Sequence, residues 1–238
     1  MCYLQIMKWR NTYLGDLVAL IFPELCQACG NSLVRNEDMI CTACTYDLPY
    51  TNFHQHTDNV VAKQLWDRVD VVMVYVLLYF TKGGNVQNMM HAFKYKNMPR
   101  IGNKLGTIAG AQLTQSSGAK DIDLIIPVPL HPEKLRLRGY NQSAQFAQGL
   151  AGPLNIQVET DNLIRLRHTD TQTKKSRFGR YENMKDVFKV SSPEKLEGKH
   201  VLLVDDIITT GSTIEACGIE LLKVPGLKLS VAAIAYAE

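Results

Sequence analysis

Two adjacent carboxylates, Asp205 and Asp206, stand between a hydrophobic run and a segment of small, hydroxylated residues. The four residues before them, 201–204, are all apolar, which is typical of a strand buried on both faces of a parallel sheet. Open α/β sheets bind their ligands at the carboxyl ends of such strands. The position of the two acids therefore predicts that they face a ligand.

The segment after the acids has the residue types of a phosphate-binding loop that opens a helix. Small residues let a phosphate approach the backbone, and the free N–H groups at a helix start attract anions. The hydroxylated side chains add donors. The segment comprises Thr209, Thr210, Gly211, Ser212 and Thr213. A Walker phosphate loop is excluded because no Gly-Lys-Ser/Thr follows.

A phosphate loop beside two acids predicts a ligand with a phosphate at one end and hydroxyl groups in the middle. A ribose 5-phosphate has both features. In this interpretation Asp205 and Asp206 accept hydrogen bonds from the 2′ and 3′ hydroxyls of the ribose. The alternative is an ordinary strand–turn–helix unit that carries acids at its rim.

A basic segment follows the predicted strand at 123–130. Lys134, Arg136 and Arg138 alternate along it, so we expect the three side chains to point to one side of an extended loop. At a strand end of this kind of sheet they would meet a second anionic group of the ligand, such as a pyrophosphate. The alternative is a solvated basic loop.

Positive charge is concentrated in the same part of the chain. Arg165 and Arg167 close another predicted strand, and the long polar segment 168–183 is predicted to be a lid. Ten basic and five acidic residues lie between positions 131 and 185, a net charge of +5 against +3 for the whole chain. This distribution favours a polyanionic ligand.

Four cysteines form two C-x2-C pairs separated by eleven residues, namely Cys26, Cys29, Cys41 and Cys44. In a cytosolic chain this spacing predicts a metal site rather than disulfides. Four thiolates complete a tetrahedral zinc site, so the zinc would be structural, with no position open for catalysis. An iron–sulfur cluster and two local disulfides are the alternatives.

Composition places the chain among globular proteins. Its 238 residues are 46% hydrophobic and 21% charged, and the net charge is too small to indicate nucleic-acid binding by itself. No apolar run reaches the roughly 20 residues that span a bilayer, and no secretory signal is evident, which predicts a cytoplasmic protein. We expect an N-terminal helix and zinc ribbon in residues 1–60 and a larger domain in residues 61–238.

Taken together, these motifs resemble the ComF family, whose members join a zinc ribbon to a type I phosphoribosyltransferase-like domain. The resemblance extends along essentially the whole chain. It rests on FPELC-x2-CG, HAFKYKNMP, PVPLHPEKLRLRGYNQ, RLRHTDTQ and VLLVDDIITTGST, the last of which resembles the signature for 5-phosphoribosyl-1-pyrophosphate (PRPP). It implies an α/β fold with a central, mainly parallel sheet and helices on both faces. It also implies an association with DNA uptake in natural competence.

For the site, the resemblance implies PRPP bound with magnesium. Asp205, Asp206 and Arg138 are the candidate catalytic residues. The 209–213 loop, Lys134, Arg136, Arg138, Arg165 and Arg167 complete the candidate PRPP contacts. Catalysis would come from positioning and from stabilising the charge on the leaving pyrophosphate. The sequence names no acceptor, and it leaves open whether the protein turns over PRPP or only binds it.

The second hypothesis is an adaptor without catalytic activity. The larger domain would bind PRPP or single-stranded DNA, and the zinc ribbon would dock a DNA-uptake helicase. The acid pair and the TTGST segment favour PRPP binding. The lack of an identifiable acceptor site favours the adaptor.

Overall fold

The computed structural model describes residues 22–56, 58–166 and 187–237. The predicted N-terminal helix up to residue 21, Arg167 and the predicted lid at 168–183 lie outside these ranges. The strands are β1 Met73–Tyr79, β2 Leu124–Pro127, β3 Gln157–Val158, β4 Leu163–Arg165, β5 Phe188–Val190, β6 His200–Ile208 and β7 Lys228–Tyr236. The α-helices are α1 Thr42–Asp47, α2 Val60–Trp66, α3 Asn85–Tyr95, α4 Arg100–Leu113, α5 Pro132–Arg138, α6 Gln142–Leu154 and α7 Ser212–Leu221.

Five strands form one sheet in the order β1-β7-β6-β2-β3, and every pairing in it is parallel. This sheet confirms the predicted α/β class. The apolar run before the acid pair lies in β6, where residues 201–204 are fully buried as predicted. β6 is longer than that run, because it continues through both acids to Ile208.

The ligand-facing end of the sheet is determined by the strand order. β6 and β2 are neighbours, but β6 continues through α7 to β7, whereas β2 continues through α6 to β3 on the other side. Connections that leave two adjacent strands in opposite directions open a crevice at their carboxyl ends. β2 ends at Pro127, opposite Val204, so β6 projects beyond its partner at Asp205.

Close packing between α4 and α6 places the start of α6 over this crevice. A Cβ at Gly106 would lie 2.4 Å from the Phe146 carbonyl oxygen, and one at Gly149 would lie 2.3 Å from that of Asn103. Both positions therefore need glycine. The α6 N-cap residue, Asn141, accepts a hydrogen bond from the Ser143 N–H and donates one to the Val128 carbonyl. The bond to Val128 ties the helix start to the residue that follows β2.

Two smaller parts surround the sheet. β4 and β5 form a separate antiparallel pair. The four-cysteine segment contains isolated bridges, including one between Leu25 and Ser32, and is joined to β1 by the Thr51 N–H, which donates to the Leu77 carbonyl at 3.1 Å. The predicted domain division at residue 60 stays a prediction. Within the described ranges, no helix is both long enough and apolar enough to span a membrane.

Candidate ligand site and metal centre

The acid pair lies at the crevice, in the second half of β6. Asp205 is buried, with 8% of its surface exposed, whereas Asp206 is partly exposed. Asp205 accepts hydrogen bonds from the Ser143 hydroxyl at 3.0 Å and from the Asp206 backbone N–H at 2.8 Å, both at Oδ1. α6 thus holds one carboxylate in place, and among the described residues no hydrogen-bond donor contacts its Oδ2.

The chemistry of Asp205 is set by its burial. Desolvation raises the pKa of its carboxyl to about 7, and the neighbouring charge of Asp206 adds to the rise. Hydrogen bonds from Asp206 and Ser143, together with the charge of Lys94, oppose it. Asp205 consequently titrates near neutral pH. Its ability to accept hydrogen bonds from a ligand therefore changes in this pH range.

Asp206 is paired with a lysine from a distant part of the chain. The Lys94 Nζ lies 2.8 Å from Asp206 Oδ2, and the other carboxylate oxygen accepts the Ile207 N–H at 2.7 Å. Lys94 belongs to the last turn of α3. Both side chains are largely withdrawn from solvent, with 19% and 16% exposed.

The predicted phosphate loop is a tight turn that opens α7, as expected. Gly211 has φ of 74° and is the residue before the helix, and the Thr210 and Ser212 hydroxyls are 2.8 Å apart. Thr213 lies in the first turn of α7, and Thr209 follows β6. The positive φ favours glycine, and a Cβ at Gly211 would lie 2.8 Å from the Leu65 side chain. The turn is therefore fitted closely against α2.

A group of polar residues that the sequence does not single out supports this turn from behind. Gln64 donates to the Thr209 carbonyl at 3.1 Å, and Arg68 donates to the Thr210 carbonyl at 3.0 Å. Arg68 also forms an ion pair with Glu215 of α7 at 3.0 Å. Because these carbonyls are satisfied on one side, the turn can present its N–H groups and hydroxyls to the other.

The prediction of an extended basic loop is wrong. Residues 132–138 form α5, which starts with a proline at its first position and ends at Gly139, with φ of 81°. In a helix, Lys134 and Arg138 are four residues apart and share a face, whereas Arg136 is rotated by roughly 200° from each of them. Arg136 is exposed and does not align with the other two as predicted.

The remaining cations gather near the acid pair. Desolvation lowers the pKa of Lys134, and the positive charges of Arg165, Arg138 and Lys94 lower it further, while Asp206 opposes the change. Arg138 donates to the Gln142 side chain at 2.9 Å and lies 5.8 Å from the centre of the Tyr95 ring.

Arg165 reaches the same cluster from β4. Its guanidinium lies 5.2 Å from the centre of the Phe188 ring. Burial lowers the pKa of Arg165, and the negative charge of Asp205 opposes that change. The structure thus brings together most of the predicted basic contacts. It adds Lys94, for which the sequence offered only its place in the HAFKYKNMP motif.

The four predicted metal ligands also converge. The sulfur atoms of Cys26, Cys29, Cys41 and Cys44 all lie within 4.8 Å of one another, and those of Cys29 and Cys41 are 3.9 Å apart. A tetrahedral zinc with Zn–S bonds of about 2.3 Å has its sulfur atoms about 3.8 Å apart. The donor set and its spacing therefore fit zinc.

The backbone around the cluster is arranged for thiolates. The Cys41 N–H donates to the Cys26 sulfur at 3.3 Å, and the Cys44 N–H donates to the Cys41 sulfur at 3.4 Å. Burial raises the pKa of Cys26, but hydrogen bonds from backbone amides outweigh it and bring the value to about 7. Burial and the neighbouring sulfurs raise the pKa of Cys44. The four sulfurs are too close to ionise together without a cation between them.

Comparison with known proteins agrees with this geometry. Residues 141–237 match the family model of the phosphoribosyl transferase domain, which covers the start of α6, the acid pair and the 209–213 loop. A solved structure of glutamine PRPP amidotransferase from Bacillus subtilis is 21% identical and covers 59% of this chain, and the chain covers 30% of that structure. Its TM-score of 0.39 is low, so the fold assignment rests on the family model and on the sheet itself.

Relatives of similar length cover most of the chain. The DNA utilization protein YhgH of Salmonella typhimurium is 31% identical over 201 residues, 83% of each chain. Competence protein F of Haemophilus influenzae is 28% identical over 85% of this chain and 89% of its own. Competence protein ComFC of Bacillus subtilis is 25% identical over 88% of this chain and 81% of its own. With its four-cysteine cluster and its phosphoribosyl transferase domain, this chain belongs to the ComF family.

Proposed function

We infer that this protein binds PRPP in the crevice between β6 and β2 and transfers its phosphoribosyl group to an acceptor during DNA uptake. One observation carries the inference: two carboxylates and four cations converge at the crevice that the 209–213 loop borders. The cations are Lys94, Lys134, Arg138 and Arg165. They outnumber the acids, and one acid exchanges its proton near neutral pH. Such a site favours a ligand with more than one anionic group.

The geometry supports one orientation of PRPP. The 5′-phosphate would lie on the turn at Gly211 and accept hydrogen bonds from N–H groups at the start of α7 and from the Thr210 and Ser212 hydroxyls. The ribose hydroxyls would donate to Asp205 and Asp206 on the adjacent strand. The pyrophosphate would then lie among the cations of α5 and β4. Each part of the ligand meets groups of complementary charge or hydrogen-bonding character.

Transfer would proceed by cleavage of the bond between C1′ and the pyrophosphate oxygen. The bonding electrons leave with pyrophosphate, C1′ acquires oxocarbenium character, and the acceptor forms the new bond. Arg138 and Lys134 would stabilise the charge that grows on the leaving group. Asp205 and Asp206 would hold the ribose in position.

Magnesium fits this site when it binds together with PRPP. Carboxylate oxygens are present, but the surrounding cations disfavour a free divalent ion. The pyrophosphate and ribose oxygens of PRPP would supply its ligands together with water. Bound in this way, magnesium would neutralise charge on the leaving pyrophosphate.

A screen for pyrophosphate release tests the transferase proposal. The full-length protein with PRPP and magnesium is incubated with nucleobases, nucleotides and single-stranded DNA in parallel. Acceptor-dependent release, lost in Asp205→Asn, supports transfer. PRPP binding without release from any acceptor in the panel would contradict it and favour the adaptor.

PRPP binding is expected to depend on pH through Asp205. The pKa of this carboxyl is raised to about 7, so lowering the pH from 8 to 6 protonates it and removes an acceptor for a ribose hydroxyl. Affinity should fall roughly tenfold over that range. Calorimetry on wild-type protein and Asp205→Asn isolates the effect, because the phosphates of PRPP titrate identically in both. A parallel pH profile in the two proteins would show that Asp205 is not responsible.

The adaptor hypothesis gains support from the surface of the zinc ribbon. Residues 22–60 contain five acidic residues and one arginine, a net charge of −4, which disfavours direct contact with nucleic acid. Val34 and Tyr46 are 67% and 86% exposed there. An acidic surface with exposed apolar side chains suits a protein partner such as the predicted helicase. Copurification of such a partner with the wild-type protein but not with Tyr46→Ser would support this role.

A further inference from the structure

We propose that Lys94 is a specificity-determining residue, because it pairs with Asp206 in this structure and moves to the pyrophosphate when PRPP binds. The inference rests on the proposed function and deepens it. It concerns how the site distinguishes PRPP from ribose 5-phosphate, which carries the same phosphate and the 2′ and 3′ hydroxyls.

The first step is the competition for Asp206. Its Oδ2 accepts Lys94 at 2.8 Å, and its Oδ1 accepts the Ile207 N–H at 2.7 Å. Both oxygens therefore already have donors, one of them charged. Each oxygen keeps a second lone pair, but Lys94 already neutralises the carboxylate. A ribose hydroxyl therefore bonds to the full negative charge of Asp206 only after Lys94 moves away, because the backbone N–H is fixed in β6.

The second step is the mobility of the lysine. Neighbouring Phe93 is fully buried, and its carbonyl accepts the Tyr140 hydroxyl, so the end of α3 is held in place. The Lys94 side chain has four rotatable carbon–carbon bonds and one compact charge. It can leave Asp206 while the helix stays where it is.

The third step is the fate of the released charge. The positive charges of Lys134, Arg138 and Arg165 already act on this region, so the released Lys94 charge in a partly buried crevice needs an anion. PRPP brings a pyrophosphate and supplies one. Ribose 5-phosphate brings no anion at C1′, so displacing Lys94 would leave its charge uncompensated. Lys94 therefore weakens the binding of ribose 5-phosphate and strengthens the binding of PRPP.

Calorimetry with two ligands tests the proposal on the full-length protein with magnesium present. In Lys94→Gln, PRPP affinity should fall roughly tenfold or more, the effect of one lost charge-assisted hydrogen bond. Ribose 5-phosphate affinity should instead stay constant or rise, so the preference for PRPP shrinks. Lys94→Arg keeps the charge and should keep the preference. Lys96→Gln, an exposed lysine two residues later, is the matched control and should change neither ligand.

A permanent structural ion pair predicts a different result. If Lys94 only fixes α3 against β6, Lys94→Gln lowers the melting temperature and weakens both ligands by the same factor, which would overturn the inference while PRPP binding by the wild type stands. If the wild-type protein binds neither ligand, the proposed function itself fails, and this inference with it.

Discussion

Replacing both acids, Asp205→Asn with Asp206→Asn, is expected to abolish detectable PRPP binding. A hydrogen bond to a charged group contributes about 1.5–3 kcal/mol, so losing two such acceptors weakens binding by roughly 100-fold to 10,000-fold. Asparagine has the shape of aspartate, and its carbonyl oxygen can still accept from the Ser143 hydroxyl and the neighbouring N–H. The sheet should therefore persist while the site loses its two negative charges.

Calorimetry with PRPP and magnesium measures this effect, and a thermal melt of the same sample checks the fold. The matched control is Asp121→Asn with Glu197→Gln, which removes two exposed acids that precede β2 and β6 at the opposite end of the sheet. The control should bind like the wild type. Unchanged affinity in the Asp205/Asp206 double variant would remove the acids from the ligand site. Equal loss in the control would show that net charge, not position, governs binding.

The part of this site that lies within one strand–turn–helix unit could be predicted from the sequence. Residues 201–213 carry a buried strand, two acids and a turn, and each feature depends on its immediate neighbours. The four cysteines are similar, because their spacing within 19 residues already determines that their sulfurs can meet. Local spacing was a good guide in both places.

Contacts between distant parts of the chain could not be predicted in this way. Lys94 meets Asp206 across 112 residues, and Arg68 meets Thr210 across 142. Neither pair has a signal in local spacing, because it is the strand order that brings the elements together.

The prediction of an extended basic segment failed for a different reason. Its alternation suggested an extended chain, but a proline at the first helical position and a glycine after the last stabilise α5 instead.

The zinc site is expected to hold close to one zinc per chain, and Cys41→Ser should lose most of it. Cys41 both supplies a ligand and, through its N–H, donates to the Cys26 sulfur. Structural zinc contributes about 10–16 kcal/mol in zinc-finger peptides, comparable with the whole stability of a typical domain. Without it the residues around the four cysteines should lose their ordered backbone. Elemental analysis measures the metal and would also reveal iron. Finding iron instead of zinc would assign the four cysteines to an iron–sulfur cluster.

Cys217→Ala is the control, since this cysteine is buried in α7 and lies outside the four-sulfur cluster. It should retain its zinc. If Cys41→Ser kept more than half of its metal, the four-thiolate assignment would be wrong. Disulfides are tested by thiol titration under denaturing conditions without a reductant, in which two bridges would hide four of the thiols.

Loss of the expected zinc should also weaken ligand binding at the proposed PRPP site, through α3. Near the start of this helix, Asn88 donates to the Ala28 carbonyl at 2.9 Å, between the first two cysteines. Near its end, Lys94 holds Asp206. Six residues of helix, about 9 Å, separate these two contacts. If the ribbon anchors α3, metal-free protein should bind PRPP several-fold more weakly while the thermal transition of the larger domain persists. Equal PRPP affinity with and without zinc would mean that the sheet alone positions Lys94.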